Sequence, residues 1–208
     1  MPNIAVLTGD LVNSTRVRDA AAFQDRLNEL LTLVAKRYAA TFTTFRGDGF
    51  QITLPNANDA FETCLYLRSG LISQSPAKSE RWDARIAVAI GSDKLTKGAI
   101  HQKVFIESGQ TLDAMKERNL VITGQTESFT LAANIGTLFL DDLIAGWTPI
   151  EAEALFEYLQ AREGHKDIAE RLGKKRPTVT LSLQRARYQL VEQYIQDMKK
   201  ILELLNEH

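Results

Sequence analysis

The chain of 208 residues has a single cysteine, Cys64, only three histidines, and a net charge of −1. A lone thiol excludes an internal disulfide, and without a Cys/His cluster no structural zinc site is expected. A charge this close to zero excludes a global field that would draw the chain to nucleic acid or a membrane, so any such attraction has to be local. No uninterrupted apolar run reaches 18 residues, so no membrane span is expected. Asp10 falls where a signal peptide would need its apolar core. The cytoplasm is therefore the expected address. What is present is ordinary globular composition, 44% hydrophobic and 25% charged, sufficient for one large domain or two small ones.

Apolar patterning sets out the elements in order. Residues 3–8 suit a buried strand. Asp19 can cap a helix through about Ala39, with Phe23, Leu27, Leu30, Leu31, Val34 and Tyr38 facing in. Residues 41–46 and 50–54 pair as a hairpin about Gly47-Asp48-Gly49, and Pro55 ends the second strand. Asn56 or Asn58 starts a helix with Phe61, Cys64, Leu65, Leu71 and Ile72 inward. The run WDARIAVAI, ending before Gly91, is the strongest strand. A polar stretch with Lys94, Lys97 and Gly98 follows it, then a helix from near Gly109, a short strand LVIT at 120–123, and a helix over 126–146 with a break expected at Gly136. Asp141 and Asp142 are adjacent on that helix, point apart, and read as solvated surface. The order β-α-β-β-α-β-α-β predicts a ferredoxin-like α+β domain over 1–146 whose helices cover one face of the sheet.

From Trp147 onward no strand-like run occurs, and 147–208 is expected to form a separate all-α unit. Thr148-Pro149 followed by Glu151 opens a helix with a capping hydroxyl and proline in the first turn. In HKDIAERLGKKRPTVTLSLQRAR, residues 165–187, Ile168, Ala169 and Leu172 face a core, and Gly173 permits a left-handed turn. Pro177 starts a second helix with Val179 and Leu183 inward. This is the spacing of a helix-turn-helix. Residues 164–188 carry seven basic side chains against two acidic ones. Lys174, Lys175 and Arg176 fall at the turn, where phosphates would lie. Thr178, Thr180, Leu181 and Gln184, with Arg185 and Arg187, complete the expected DNA-binding face. This segment resembles helix-turn-helix units of the sigma-region-4 and LuxR kind. A solvated helical hairpin that binds a protein is the alternative. The final stripe, Leu190, Tyr194, Ile195, Met198, Ile201, Leu202 and Leu205, can pack on the first domain or on a second copy.

The stretches LTGDLVNST and GDGFQ each carry a Gly-Asp pair, at Gly9-Asp10 and Gly47-Asp48. The residue-level alternatives are two turns stabilised by aspartate or two carboxylates on adjacent strand ends that share a divalent ion. These motifs, with RIAVAIG at 85–91 and GQTLDAMKERNLVIT at 109–123, resemble class III nucleotidyl cyclases in order and spacing. The resemblance implies metal binding at Asp10 and Asp48, with Mg²⁺ or Mn²⁺ and a nucleotide. It places Asn13, Ser14, Thr15, Gly47 and Gly49 around that nucleotide and sets Thr44 where the base-recognising lysine stands. The family's transition-state asparagine and arginine become Asp113 and Glu117, with Arg118 one residue off; a carboxylate there repels a triphosphate. No catalytic residue is therefore assigned. The combination of GDLVNST, GDGFQ and a C-terminal helix-turn-helix is also similar to the SatD family. The expected protein is a cytoplasmic, homodimeric regulator that binds double-stranded DNA through a helix-turn-helix and carries a degenerate cyclase-like sensor or dimerisation domain. The alternative is a divergent nucleotidyl cyclase.

Overall fold

A computed structural model describes residues 3–45, 48–77, 79–92, 97–124 and 126–204, without the side chains of Ser92 and 97–102. Five strands form one sheet in the order β2-β3-β1-β4-β5: β1 Asn3–Leu11, β2 Thr41–Phe45, β3 Gly49–Leu54, β4 Ala84–Ser92 and β5 Leu120–Thr123. Strand β1 lies at the centre, antiparallel to both β3 and β4, and β5 runs parallel to β4. The fold is mixed α+β.

Helix α1, Ala20–Tyr38, begins where Asp19 accepts from the Ala22 amide at 2.9 Å. It buries Phe23, Leu27, Leu30, Leu31 and Val34, each contributing about 1.5–3 kcal/mol by removal from water. Helix α2, Ala60–Ile72, is buried on every side. The sheet lies beneath it, while helices α5, Pro149–Ala161, and α8, Tyr188–Leu204, pack against it. Helix α4, Glu127–Ala145, packs on β5 and α8 and is continuous through Gly136, contrary to the expected break. A Cβ at Gly136 would lie 3.5 Å from the Tyr194 ring. By length and composition α4 could cross a membrane; here its other face joins the core through Phe129, Ala133, Leu140 and Ile144.

Helix α3, Lys97–Ala114, starts twelve residues before the position expected near Gly109 and covers the opposite face of the sheet. Helices therefore flank both faces, not one. Val104 packs on Val6 and Ala89, and the Ser108 hydroxyl lies 2.7 Å from that of Thr8. Among the described residues Phe105 packs there as well, so the contact face of α3 mixes apolar Val104 and Phe105 with polar Ser108 and offers no clean apolar stripe from which it could be predicted.

The main core continues into the C-terminal helices: Trp147, Leu155, Phe156, Leu159, Val191, Ile195, Met198 and Leu202 belong to it. Of the expected stripe, Tyr194, Ile195, Met198, Ile201 and Leu202 pack on the body of the same chain, whereas Leu190 is exposed; Leu205 lies outside the described residues. Helices α6, His165–Arg171, and α7, Arg176–Arg185, instead share a small separate core of Ala154, Ile168, Ala169, Val179 and Leu183.

One buried polar assembly ties these layers. Arg68, fully buried on α2, donates to both oxygens of Asp83 at 2.8 and 2.9 Å and to Asp141 at 2.6 Å. Asp141 also accepts from the Asn119 and Leu120 amides. It is buried, so the reading of Asp141 as solvated surface is overturned; adjacent Asp142 is exposed. Arg81 closes the C-terminus of α4 through the Ile144 and Trp147 carbonyls.

Candidate functional site

The Gly9-Asp10 pair is not a turn. Strand β1 runs on to Leu11, and Asp10 stands between Gly49 of β3 and Arg85 of β4. A side chain at residue 9 would place its Cβ 2.4 Å from the Phe50 ring and 2.6 Å from the Arg85 carbonyl oxygen, so only glycine fits. Asp48 does sit at the hairpin. Its carbonyl accepts from the Leu11 amide at 3.2 Å, which brings the two aspartates to neighbouring strand ends.

Their carboxylates have different partners. Arg85 holds Asp10 with both arms, Nε to Oδ1 at 2.9 Å and Nη2 to Oδ2 at 2.5 Å. The Ser14 hydroxyl donates to Asp48 at 2.7 Å, from the 3-10 turn Ser14–Arg16 that leads into α1. The Arg85 guanidinium is held protonated first by its hydrogen bonds to Asp10 and then by the charges of Asp10 and Asp113. Asp113 therefore adds a further carboxylate to this end of the sheet.

Asn13 is exposed in the left-handed region at φ 54°, and Thr15 beside it is exposed. Gly49 packs beneath the Phe45 ring, which a Cβ would meet at 2.8 Å. Thr44 lies one strand further out, opposite Phe50 on the exposed β2. Gly47 lies outside the described residues. Arg118 turns away from the aspartates: its Nη2 is 3.4 Å from Asn134 of α4.

A divalent ion needs several oxygen ligands free at once. Both oxygens of Asp10 are engaged by a cation already in place, and one oxygen of Asp48 is engaged by Ser14. No group of three His, Cys, Asp or Glu side chains comes together among the described residues. The site as folded does not fit Mg²⁺ or Mn²⁺. Sequence reasoning treated Arg85 only as part of a motif; its position opposite Asp10 on a central strand is a long-range relationship that no local spacing reveals.

The second candidate surface is on α6 and α7. Gly173 takes φ +62°, and the Lys174 amide returns to the Ala169 carbonyl at 2.9 Å, which ends α6 and aims α7 across it. Lys175 precedes α7 without a side-chain cap, and Pro177 occupies its first turn. On the outer face, Lys175, Arg176, Thr178, Leu181, Gln184, Arg185 and Arg187 are exposed. Other basic residues of the segment are already paired. Lys174 bonds Glu153, Arg171 bridges Glu157 and Glu163, and Lys166 meets Glu170. Thr180 is turned inward, its hydroxyl 3.0 Å from His165 Nδ1. Lys175, Arg176, Arg185 and Arg187 form no ion pair among the described residues.

No protein-family profile and no characterised protein matches this chain, so the SatD resemblance rests on its motifs alone. Solved structures of similar shape include the active GGEEF domain of a diguanylate cyclase from Vibrio cholerae, at 14% identity and TM-score 0.49, covering 61% of this chain and 85% of that one. The GGDEF domain of DgcB from Caulobacter crescentus, in complex with c-di-GMP, is similar at 15% identity and TM-score 0.47, over 59% of this chain and 77% of its own. A bacterial light-regulated adenylyl cyclase follows at 14% and 0.43, covering 58% and 75%. A likeness at this level is one of general plan, from which no activity, ligand or partner follows.

Proposed function

We propose that this protein is a cytoplasmic DNA-binding regulator. A helix-turn-helix within 147–208 reads the duplex, and a ferredoxin-like, cyclase-type domain over 1–146 serves as its platform without turning over nucleotides. The observation that carries the reading is the outer face of α7: four cations without ion partners among the described residues lie with Thr178, Leu181 and Gln184 on that exposed face. Lys175 and Arg176 sit at the N-terminus of α7, where unsatisfied amides add to the attraction for phosphate. Gln184 suits adenine, and Leu181 suits a thymine methyl group. Arg185 and Arg187 follow the backbone beyond. On the sheet, Arg85 occupying Asp10 accords with a platform that does no metal chemistry.

Fluorescence anisotropy on a labelled duplex tests this. Binding should weaken by roughly three decades or more between 50 and 200 mM salt if six phosphates are contacted. It should fall further in Lys175→Ala/Arg176→Ala. Binding that ignores both salt and substitution removes the reading.

A second reading, a divergent nucleotidyl cyclase, is favoured by the strand order and by two aspartates at neighbouring strand ends. Incubation with each nucleoside triphosphate and Mn²⁺ should then release pyrophosphate, and Asp48→Asn should abolish the release. No release with any of them would remove this second reading.

A further inference from the structure

Helix α4 carries an unusual outer face. Leu131 is 65% exposed, Ile135 58%, Leu138 50% and Phe139 71%. Their spacing of four, three and one places them in a single stripe. From Ser128 to Leu140 the helix has no charged residue. The opposite side of the same helix is fully used, with Phe129, Ala133, Leu140 and Ile144 in the core and Thr137 bonded to Tyr194. The adjoining edge of the sheet is closed as well: Asn134 accepts from the Ile122 amide and donates to the Ile122 carbonyl, so β5 offers no free ladder there. The stripe is therefore a helical surface beside a blocked strand edge.

We propose that this stripe is where two copies of the chain associate, as an antiparallel α4 pair about a two-fold axis at Ile135. The area is of the right order. A fully exposed side chain of this size presents roughly 180 Å², so the four residues offer on the order of 400 Å² per copy, at the scale of a functional patch. Two copies bury about 800 Å² from these side chains alone, about two thirds of the ~1,200 Å² at which specific interfaces begin. The stripe is also self-complementary, as a two-fold contact requires. Centred on Ile135, the antiparallel register sets Leu131 against the partner's Phe139. The inference does not depend on DNA binding, because association is measured without DNA.

Sedimentation velocity of the full chain over a range of concentrations, together with Ile135→Glu, is the first test. The wild type should dimerise, and the variant should raise the dissociation constant at least ~100-fold, since the substitution enters both halves of the contact. At concentrations where both are monomeric its thermal melting should match the wild type, because residue 135 is exposed; where the wild type is dimeric the variant should melt lower. Cross-linking supplies the second test. Ile135→Cys should join to itself through a short bis-maleimide, while Leu181→Cys on α7 should not. Cys64 gives no background: it is buried and its thiol is pushed up to about 12 by desolvation. A monomer at every concentration, or a dimer that survives Ile135→Glu, overturns the proposal. So does wild-type binding to neutral phospholipid vesicles that Ile135→Glu abolishes, which would make the stripe a bilayer contact.

Discussion

Arg85 grips both carboxylate oxygens of Asp10 across adjacent strands, at 2.9 and 2.5 Å. A guanidinium thus occupies the aspartate that the cyclase resemblance reserves for a metal. Mg²⁺ or Mn²⁺ at millimolar concentration should accordingly leave the melting temperature of the wild type unchanged, since a ligand raises it only by binding the native state. Arg85→Ala should cost no more than about 1 kcal/mol, because the pair is partly exposed and screened by water. Differential scanning fluorimetry reads both. A metal-dependent rise in the wild type that Asp10→Asn abolishes would show that Arg85 yields to the ion.

Arg68 is the opposite case, a fully buried cation between two carboxylates. Removing it strands buried charge, and Arg68→Met should destabilise by about 3–5 kcal/mol. The pH dependence should also change sign. Burial pushes the Asp83 carboxyl up, but Arg68, with Arg81 and the Ala84 amide, outweighs burial and holds it below the usual carboxylate range. In the wild type this contribution is complete above about pH 4 and is lost as pH falls through the depressed folded value. Without Arg68 only Arg81 and the Ala84 amide oppose burial, and Asp83 rises. The variant should then grow more stable on acidification from pH 7 to 5, where this group leaves the wild type flat. Chemical denaturation at several pH values measures the difference.

What could be read from the chain follows from the range of the interactions involved. Asp19, the Thr148–Glu151 capping box and the left-handed Gly173 are local devices, and each stands where residue type and spacing put it. The α1 stripe was legible because one side chain in three or four meets a deep core. Helix α3 was not, because Val104 and Phe105 share its contact face with polar Ser108, against a sheet face lined by Val6, Thr8 and Ala89. The Asp10–Arg85 and Arg68–Asp141 pairs join residues about 75 positions apart. Asp141 looked solvated because its partner lies on another helix. The cationic turn was legible as charge, but its division into paired Lys174 and unpaired Lys175 depends on Glu153, a residue of α5.

Glycines 9 and 109 should respond oppositely to alanine. At residue 9 the added carbon meets the Arg85 carbonyl, which belongs to the adjacent strand and cannot move alone. Gly9→Ala should cost about 1–3 kcal/mol, a drop of several degrees in Tm for a chain of this size. At residue 109, within α3, nothing lies within 4 Å of the new carbon. Gly109→Ala should stabilise by about 0.5–1 kcal/mol through helix propensity. Thermal melts of the two variants separate close packing at Gly9 from a turn requirement, because a turn glycine would be rescued by asparagine and Gly9 would not.

The ion pairs of the C-terminal unit predict a ranking that total charge does not. Lys174 and Lys175 are neighbours, yet Lys174 bonds Glu153 while Lys175 is exposed and has no ion partner among the described residues. If α7 meets a duplex, Lys175→Ala, Arg176→Ala and Arg185→Ala should each lower the salt slope by about one counterion. Lys174→Ala and Arg171→Ala should lower it less, since their charges are already compensated. Substitutions at Gln184 and Leu181 should instead alter preference among sequences with little change in slope. Anisotropy titrations at several salt concentrations, on one specific and one random duplex, distinguish these classes. Equal slopes for Lys174→Ala and Lys175→Ala would mean that the duplex pulls Lys174 away from Glu153, and that the contact surface extends from α7 onto the turn and α5.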